Sequence, residues 1–161
     1  TGAERIIVDN LFIKNPNMLK SISKSIGSQG VVVCLPIKLI NGKAFHYDYI
    51  KKETRKLNLN KIKRYENFIS ELLIVDVDSQ GISGNFNNSI IDIFYEININ
   101  LICFGGVGLS EKENFLLQNN QVNAIVYGNI LNYGELYFQK IKRSLSKSKQ
   151  KLRRSIFREK I

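Results

Sequence analysis

The 161-residue sequence predicts an α/β fold built on a parallel sheet. Three observations predict it. Five short runs, Arg5 to Asp9, Val31 to Leu35, Leu72 to Val77, Asn100 to Phe104 and Asn123 to Tyr127, are rich in Val and Ile and lack strict alternation, which suits strands covered on both faces. Amphipathic stretches separate them, so the order is β-α-β-α-β-α-β-α-β-α, which calls for right-handed crossovers. Two runs lead into glycine-rich turns, one holding Gly81 and Gly84 and the other Gly105, Gly106 and Gly108.

Each element has a local reason. Asn15-Pro16 places an N-cap before a proline at the first helical position, ahead of a helix over Met18 to Ile26. Between the second strand and its helix lies a longer connection, Lys38 to Asn60, in which Asn41-Gly42 separates Leu39-Ile40 from the aromatic stretch Phe45 to Tyr49. That dipeptide is a hairpin signal, so a small β-flap over 38–60 is expected where the strands end. Helices follow over Lys61 to Ser70, Asn88 to Tyr95 and Tyr133 to Leu145. Ser110 to Glu113 reads as a capping box opening the helix that carries Phe115 and Leu116. A five-stranded parallel sheet of this kind fits an open doubly wound fold or a piece of an eight-stranded barrel, and periodicity does not separate the two.

Composition narrows the class. A hydrophobic fraction of 43% is enough for one core, and no apolar run is long enough to span a membrane. With no initiating Met and no signal peptide before the first strand, the chain is expected to begin inside a fold, as a fragment or half of something longer. Cys34 and Cys103 sit in strand runs and read as buried free thiols of a reducing cytoplasm. No metal-ligand spacing occurs, and nothing calls for a cofactor; His46 reads as a flap residue and Tyr127 as a strand residue. The net charge is +10, but residues 140–161 hold ten Lys or Arg against Glu159, so the basic character belongs to the tail. We therefore divide the chain into a domain over 1–139 and a segment over 140–161 that ends the last helix and forms a basic tail, read as solvated, with contact to a polyanion or a membrane surface as the alternative; nucleic acid is not an expected partner of the domain. A second basic cluster, Lys51, Lys52, Arg55, Lys56, Lys61, Lys63 and Arg64, could attract phosphorylated ligands or serve as a solvated loop and helix face.

The glycine turns point to chemistry. Glycines at the carboxyl ends of parallel strands let backbone N–H groups approach an anion, and a following helix N-terminus adds partial positive charge. The build is that of a phosphate site.

Taken together, Gly2 to Asn10, Asn15-Pro16, Gly27 to Val33, Glu71 to Asn87, Gly105 to Gly108 and Tyr127 to Asn129 resemble, in order and spacing, the second half of the cyclase subunit of imidazole glycerol phosphate synthase, a (βα)8 barrel. The resemblance implies a (βα) half barrel corresponding to strands four to eight of a TIM barrel. It also implies a lyase-type cyclase of histidine biosynthesis, which takes ammonia from a glutaminase partner to cleave and cyclise a bis-phosphorylated intermediate. By this resemblance Gly81, Gly105, Gly106, Gly128 and Asn129 match the C-terminal phosphate site. Asp9 and Asn10 match the other, where Asp9 puts a negative charge in place of the family's Asn. Arg5 and Glu71 fall on two positions of the family's ammonia gate, although a plain salt bridge at the barrel bottom explains them equally.

Two departures bear on activity. The family's strand-five carboxylate position is Pro36, and the second Asp of its strand-six turn is Gln80, while the first, Asp78, is kept. Neither Pro nor Gln exchanges a proton near neutral pH, so cyclisation by this chain alone is not expected. Asp76, two residues from Asp78, is a candidate replacement carboxylate. The expected function is a diverged cyclase relative working with a glutaminase in ammonia transfer, a role the family also has in surface-polysaccharide synthesis. The alternative is a non-catalytic half barrel, binding a phosphorylated ligand or another subunit, or a truncated remnant. Open strand edges predict self-association or pairing with the missing N-terminal half.

Overall fold

The structure, a computed structural model, describes residues 2–108, 111–134 and 136–146. Its strands are β1 (Ile6–Val8), β2 (Val31–Ile40), β3 (Lys43–Asp48), β4 (Glu53–Lys56), β5 (Glu71–Asp76), β6 (Asn100–Phe104) and β7 (Val122–Ile125). The helices are α1 (Leu11–Lys14), α2 (Pro16–Ile26), α3 (Leu59–Lys63), α4 (Ser89–Ile93), α5 (Glu111–Gln118) and α6 (Tyr137–Ser146). The capping box at Ser110 to Glu113 and the tail over 147–161 lie outside the described residues or side chains.

Five strands, β1-β2-β5-β6-β7, pair in parallel and in chain order. Consecutive parallel pairing with helical crossovers is how a (βα)8 barrel is wound. Among the described residues the sheet stays open: β1 pairs only with β2, and β7 only with β6. The fold is therefore α/β, a partial barrel.

One face of this sheet is covered. Val31, Val33, Leu35 and Ile37 of β2, Leu72 and Ile74 of β5, and Leu101 and Cys103 of β6 pack with Phe12, Leu19, Ile62, Ile90, Phe94 and Leu116 in one core. Alternate residues point the other way, and there Ile7 is 62% exposed. On that inner face Val32 and Val75, toward opposite ends of the strands, are 3% and 4% exposed, and Cys34 and Leu73 between them are half-buried.

Strand β2 runs five residues beyond the apolar stretch that announces it, straight through Pro36. The geometry explains why. The carbonyls of Val31 and Ile37 accept from Ser70 and Val77 on the β5 side, so the backbone of Pro36, one residue out of phase, faces the opposite edge. On that edge the pairing of β1 ends at Val33, and that of the antiparallel β3, which runs back from Ile40, stops at Ile37, so Pro36 lies in the gap between them. Its missing N–H costs no ladder bond.

Past this point β2 turns at Asn41-Gly42, with φ of 51° and 71°, into the antiparallel β3–β4 hairpin. Asp48 ties the next turn down, accepting the amides of Ile50 (2.9 Å) and Lys51 (3.2 Å). The Lys61–Ser70 helix expected from sequence is instead α3 followed by a single 3₁₀ turn at Glu66–Phe68. Tyr65 packs edge-on against Phe12 (5.7 Å between centroids), and that aromatic contact wins over continued helix.

Candidate phosphate site at the barrel mouth

The turns after β5, β6 and β7 converge. Gly81, Gly105, Gly106, Gly128 and Asn129, with Gln80, Ser83 and Phe104, line one cavity of about 380 Å³. Local sequence shapes it. Gly106 has φ +76°, and a Cβ there would lie 2.6 Å from Ser79 Cβ and 2.8 Å from Ser79 O, so the β6 turn can seat against the β5 turn only without a side chain. The Gly106 carbonyl accepts the amides of Asn85 (2.8 Å) and Phe86 (3.3 Å), stitching the two turns together. Gly81, at φ +81°, has no atom within 4 Å of an added Cβ and lies open to the cavity. Gly128 and Asn129 lead into a 3₁₀ turn, Asn129–Asn132. The Asn129 carboxamide is engaged on both atoms, donating to Tyr133 Oη (2.8 Å) and accepting from Asn132 (3.1 Å).

Among the described residues that line this cavity, none is charged. An anion held here would meet backbone N–H groups and neutral side chains. The sixth matched phosphate position, Asn10, lies elsewhere: it donates to Asp48 Oδ1 (3.4 Å) at the base of the hairpin.

On the mouth side of β2 and β5 the floor is Pro36, in register with Val75. Above it stand residues that the sequence reading passed over. Lys38 Nζ pairs with Asp78 Oδ1 at 2.8 Å and lies 5.1 Å from the centre of the Tyr47 ring. The hydrogen bond to Asp78 raises the Lys38 pKa and keeps it cationic. Tyr47 and Tyr49 meet edge to face at 5.0 Å, and Tyr49 Oη donates to Gln80 Oε1 at 2.9 Å. Partial desolvation raises the Tyr49 phenol above its ordinary pKa, and at neutral pH it is a donor. The signal for these residues was the period-two alternation on either side of Asn41-Gly42, which puts Pro36 and Lys38 on one face of β2, and Tyr47 and Tyr49 on one face of the hairpin.

Asp76 and Asp78 line a second cavity, of about 440 Å³, with Leu39, Ser79, Asn85 and Asn87. Their environments differ. Asp78 is half exposed, whereas Asp76 is 3% exposed, is in register with the core residue Ile37, and accepts the Asn87 amide at 2.9 Å. Its carboxylate thus braces the loop between β5 and α4.

At the other end of the strands Arg5 Nη1 lies 2.7 Å from Glu71 Oε2, and Asn123 donates to Glu71 Oε1 at 3.4 Å. Asn123 is the bulged residue between β6 and β7. A concavity of about 590 Å³ also opens at this end, but Asp92 and Glu96 line it without a basic residue, which disfavours an anion there. Cys34 and Cys103 are free thiols, and burial pushes both pKa values up to about 12. Among the described residues, no cluster of three or more His, Cys, Asp or Glu could hold a metal, and no helix is long and apolar enough to cross a membrane.

Consecutive parallel strands with glycine turns converging at their carboxyl ends define a barrel-type (βα) protein. The chain belongs to the histidine biosynthesis protein family, which matches residues 1–137. Among curated proteins it is similar to imidazole glycerol phosphate synthase subunit HisF. The Campylobacter concisus protein is 28% identical over 148 residues, 89% of this chain and 58% of that protein. Those of Flavobacterium johnsoniae and Methanococcus vannielii are 25% and 26% identical over 91% of this chain, covering 60% and 63% of their own lengths. The chain spans about three fifths of the relatives it matches.

Proposed function

We propose that this chain is the phosphate-gripping part of a cyclase-type barrel. It holds a phosphorylated small molecule at its mouth and meets a glutaminase subunit at the Arg5–Glu71 end, serving ammonia transfer without closing an imidazole ring on its own side chains. One observation carries the reading: five of the six residues matched to phosphate binding line a single 380 Å³ cavity. The chemistry for ring closure is thinner. Pro36 and Gln80 offer no titratable proton, Asp78 is paired with Lys38, and Asp76 is committed to the Asn87 amide. A setting in surface-polysaccharide synthesis, where ammonia passes to a separate sugar-modifying enzyme, accommodates the lost carboxylates.

The test is ammonia-dependent turnover of the bis-phosphorylated intermediate by the full chain, with and without a glutaminase. The reading expects binding of the intermediate and no imidazole product. Ring formation at family-like rates would overturn it.

A second reading rests on the open sheet. Ile7 on edge strand β1 is 62% exposed and Val126 beside β7 is 38% exposed. These apolar positions and the two open edges support closure of the barrel by a second copy or by an N-terminal half barrel.

A further inference from the structure

We infer that Gln80 is a phosphate-oxygen donor, turned into that role by Tyr49, so that the residue at the family's carboxylate position has changed from an anion to an anion ligand; this rests on the phosphate reading of the mouth cavity. Gln80 lines the cavity, and its Oε1 accepts the Tyr49 hydroxyl at 2.9 Å. A carboxamide is planar, so fixing Oε1 fixes Nε2, and both N–H bonds are then donors with no acceptor among the described residues. Asn129, the other carboxamide on the rim, has both of its atoms engaged already. With no charged residue among the described lining, hydrogen bonds of this kind supply much of the grip that the described residues offer.

A carboxylate at position 80 could accept the same Tyr49 bond, but it has no N–H to offer and would repel a phosphate dianion. Gln80 therefore does two things at once: it removes the acid a cyclase would use and adds a donor to the phosphate cradle. Tyr49 is a positioning residue. It comes from the turn after β3, so the hairpin contributes to the grip through Gln80.

The experiment titrates inorganic phosphate into the full chain by calorimetry, using wild type, Gln80→Ala, Gln80→Glu, Tyr49→Phe and the Tyr49→Phe/Gln80→Ala pair. Both side chains are exposed, so the variants should keep the wild-type thermal midpoint without ligand. Expected losses of affinity are about five- to tenfold for Gln80→Ala, more than tenfold for Gln80→Glu and about threefold for Tyr49→Phe. In the Gln80→Ala background Tyr49→Phe should have no further effect, a coupling that a merely structural tyrosine would not show. Wild-type binding that Gln80→Glu leaves unchanged, or an undiminished Tyr49→Phe loss in the Gln80→Ala background, overturns the inference and leaves the phosphate reading standing. Absence of wild-type binding overturns both.

Discussion

Replacing Gly106 by alanine tests whether the mouth depends on the close seating of the β5 and β6 turns. The added Cβ would lie 2.6 Å from Ser79 Cβ, 2.8 Å from Ser79 O and 3.0 Å from Phe86 N, two of them backbone atoms that cannot swing aside. Overpacking of this kind costs about 1–3 kcal/mol. Holding a non-glycine residue at φ +76° adds about 1–2 kcal/mol, offset by up to about 1 kcal/mol from the stiffer unfolded chain. The expected net loss is about 2–4 kcal/mol. Gly81→Ala is the internal control, because its φ of +81° carries the same backbone strain but an added Cβ has nothing within 4 Å. Its expected cost is about 1 kcal/mol. Urea unfolding followed by far-UV circular dichroism measures both. A Gly106→Ala cost no larger than that of Gly81→Ala would refute the steric account, and glycine at 106 would then need another reason.

Further outcomes follow from other parts of the molecule. The inner face predicts concentration-dependent association in sedimentation velocity, weakened by Ile7→Asp; a monodisperse monomer at micromolar concentration would count against the second reading. Arg5→Ala should destabilise by about 1 kcal/mol, chiefly by leaving the 7%-exposed Glu71 carboxylate without its cation, while Arg5→Ala combined with Glu71→Gln should recover most of the loss. His46 is 2% exposed, with its Nε2 unpartnered, and burial lowers its pKa. The native state then binds fewer protons than the unfolded one, so its contribution to stability is present above the unfolded value of about 6.5 and declines as pH falls through it. Thermal midpoints should therefore depend less on pH between about 7 and 5 in His46→Phe than in wild type.

The parallel core was legible because short Val- and Ile-rich runs carry little other than strand information, and each registers in the sheet close to where its apolar residues lie. Asn15-Pro16 was legible for a similar reason: cap and proline act within one turn, and Asn15 Oδ1 accepts the Met18 amide at 3.4 Å. The length of β2 was not, because Pro36 signals a break unless one knows that it falls between the ends of β1 and β3. The glycine turns suggested a shared site, yet their spacing in sequence does not say that three loops surround one volume. Lys38, Tyr47 and Tyr49 were hidden for another reason. Alternation around Asn41-Gly42 sets which way they face, but their contacts with Asp78 and Gln80 depend on how the hairpin lies against the turn after β5, a tertiary fact that no short motif encodes.

A phosphate grip at the mouth is read out by amide chemical shifts during titration of the full chain with inorganic phosphate. Saturable shifts are expected at Gly81, Gly105, Gly106, Gly128 and Asn129. Shifts confined to the exposed hairpin cations Lys51, Lys52, Arg55 and Lys56, or none that saturate, would contradict it.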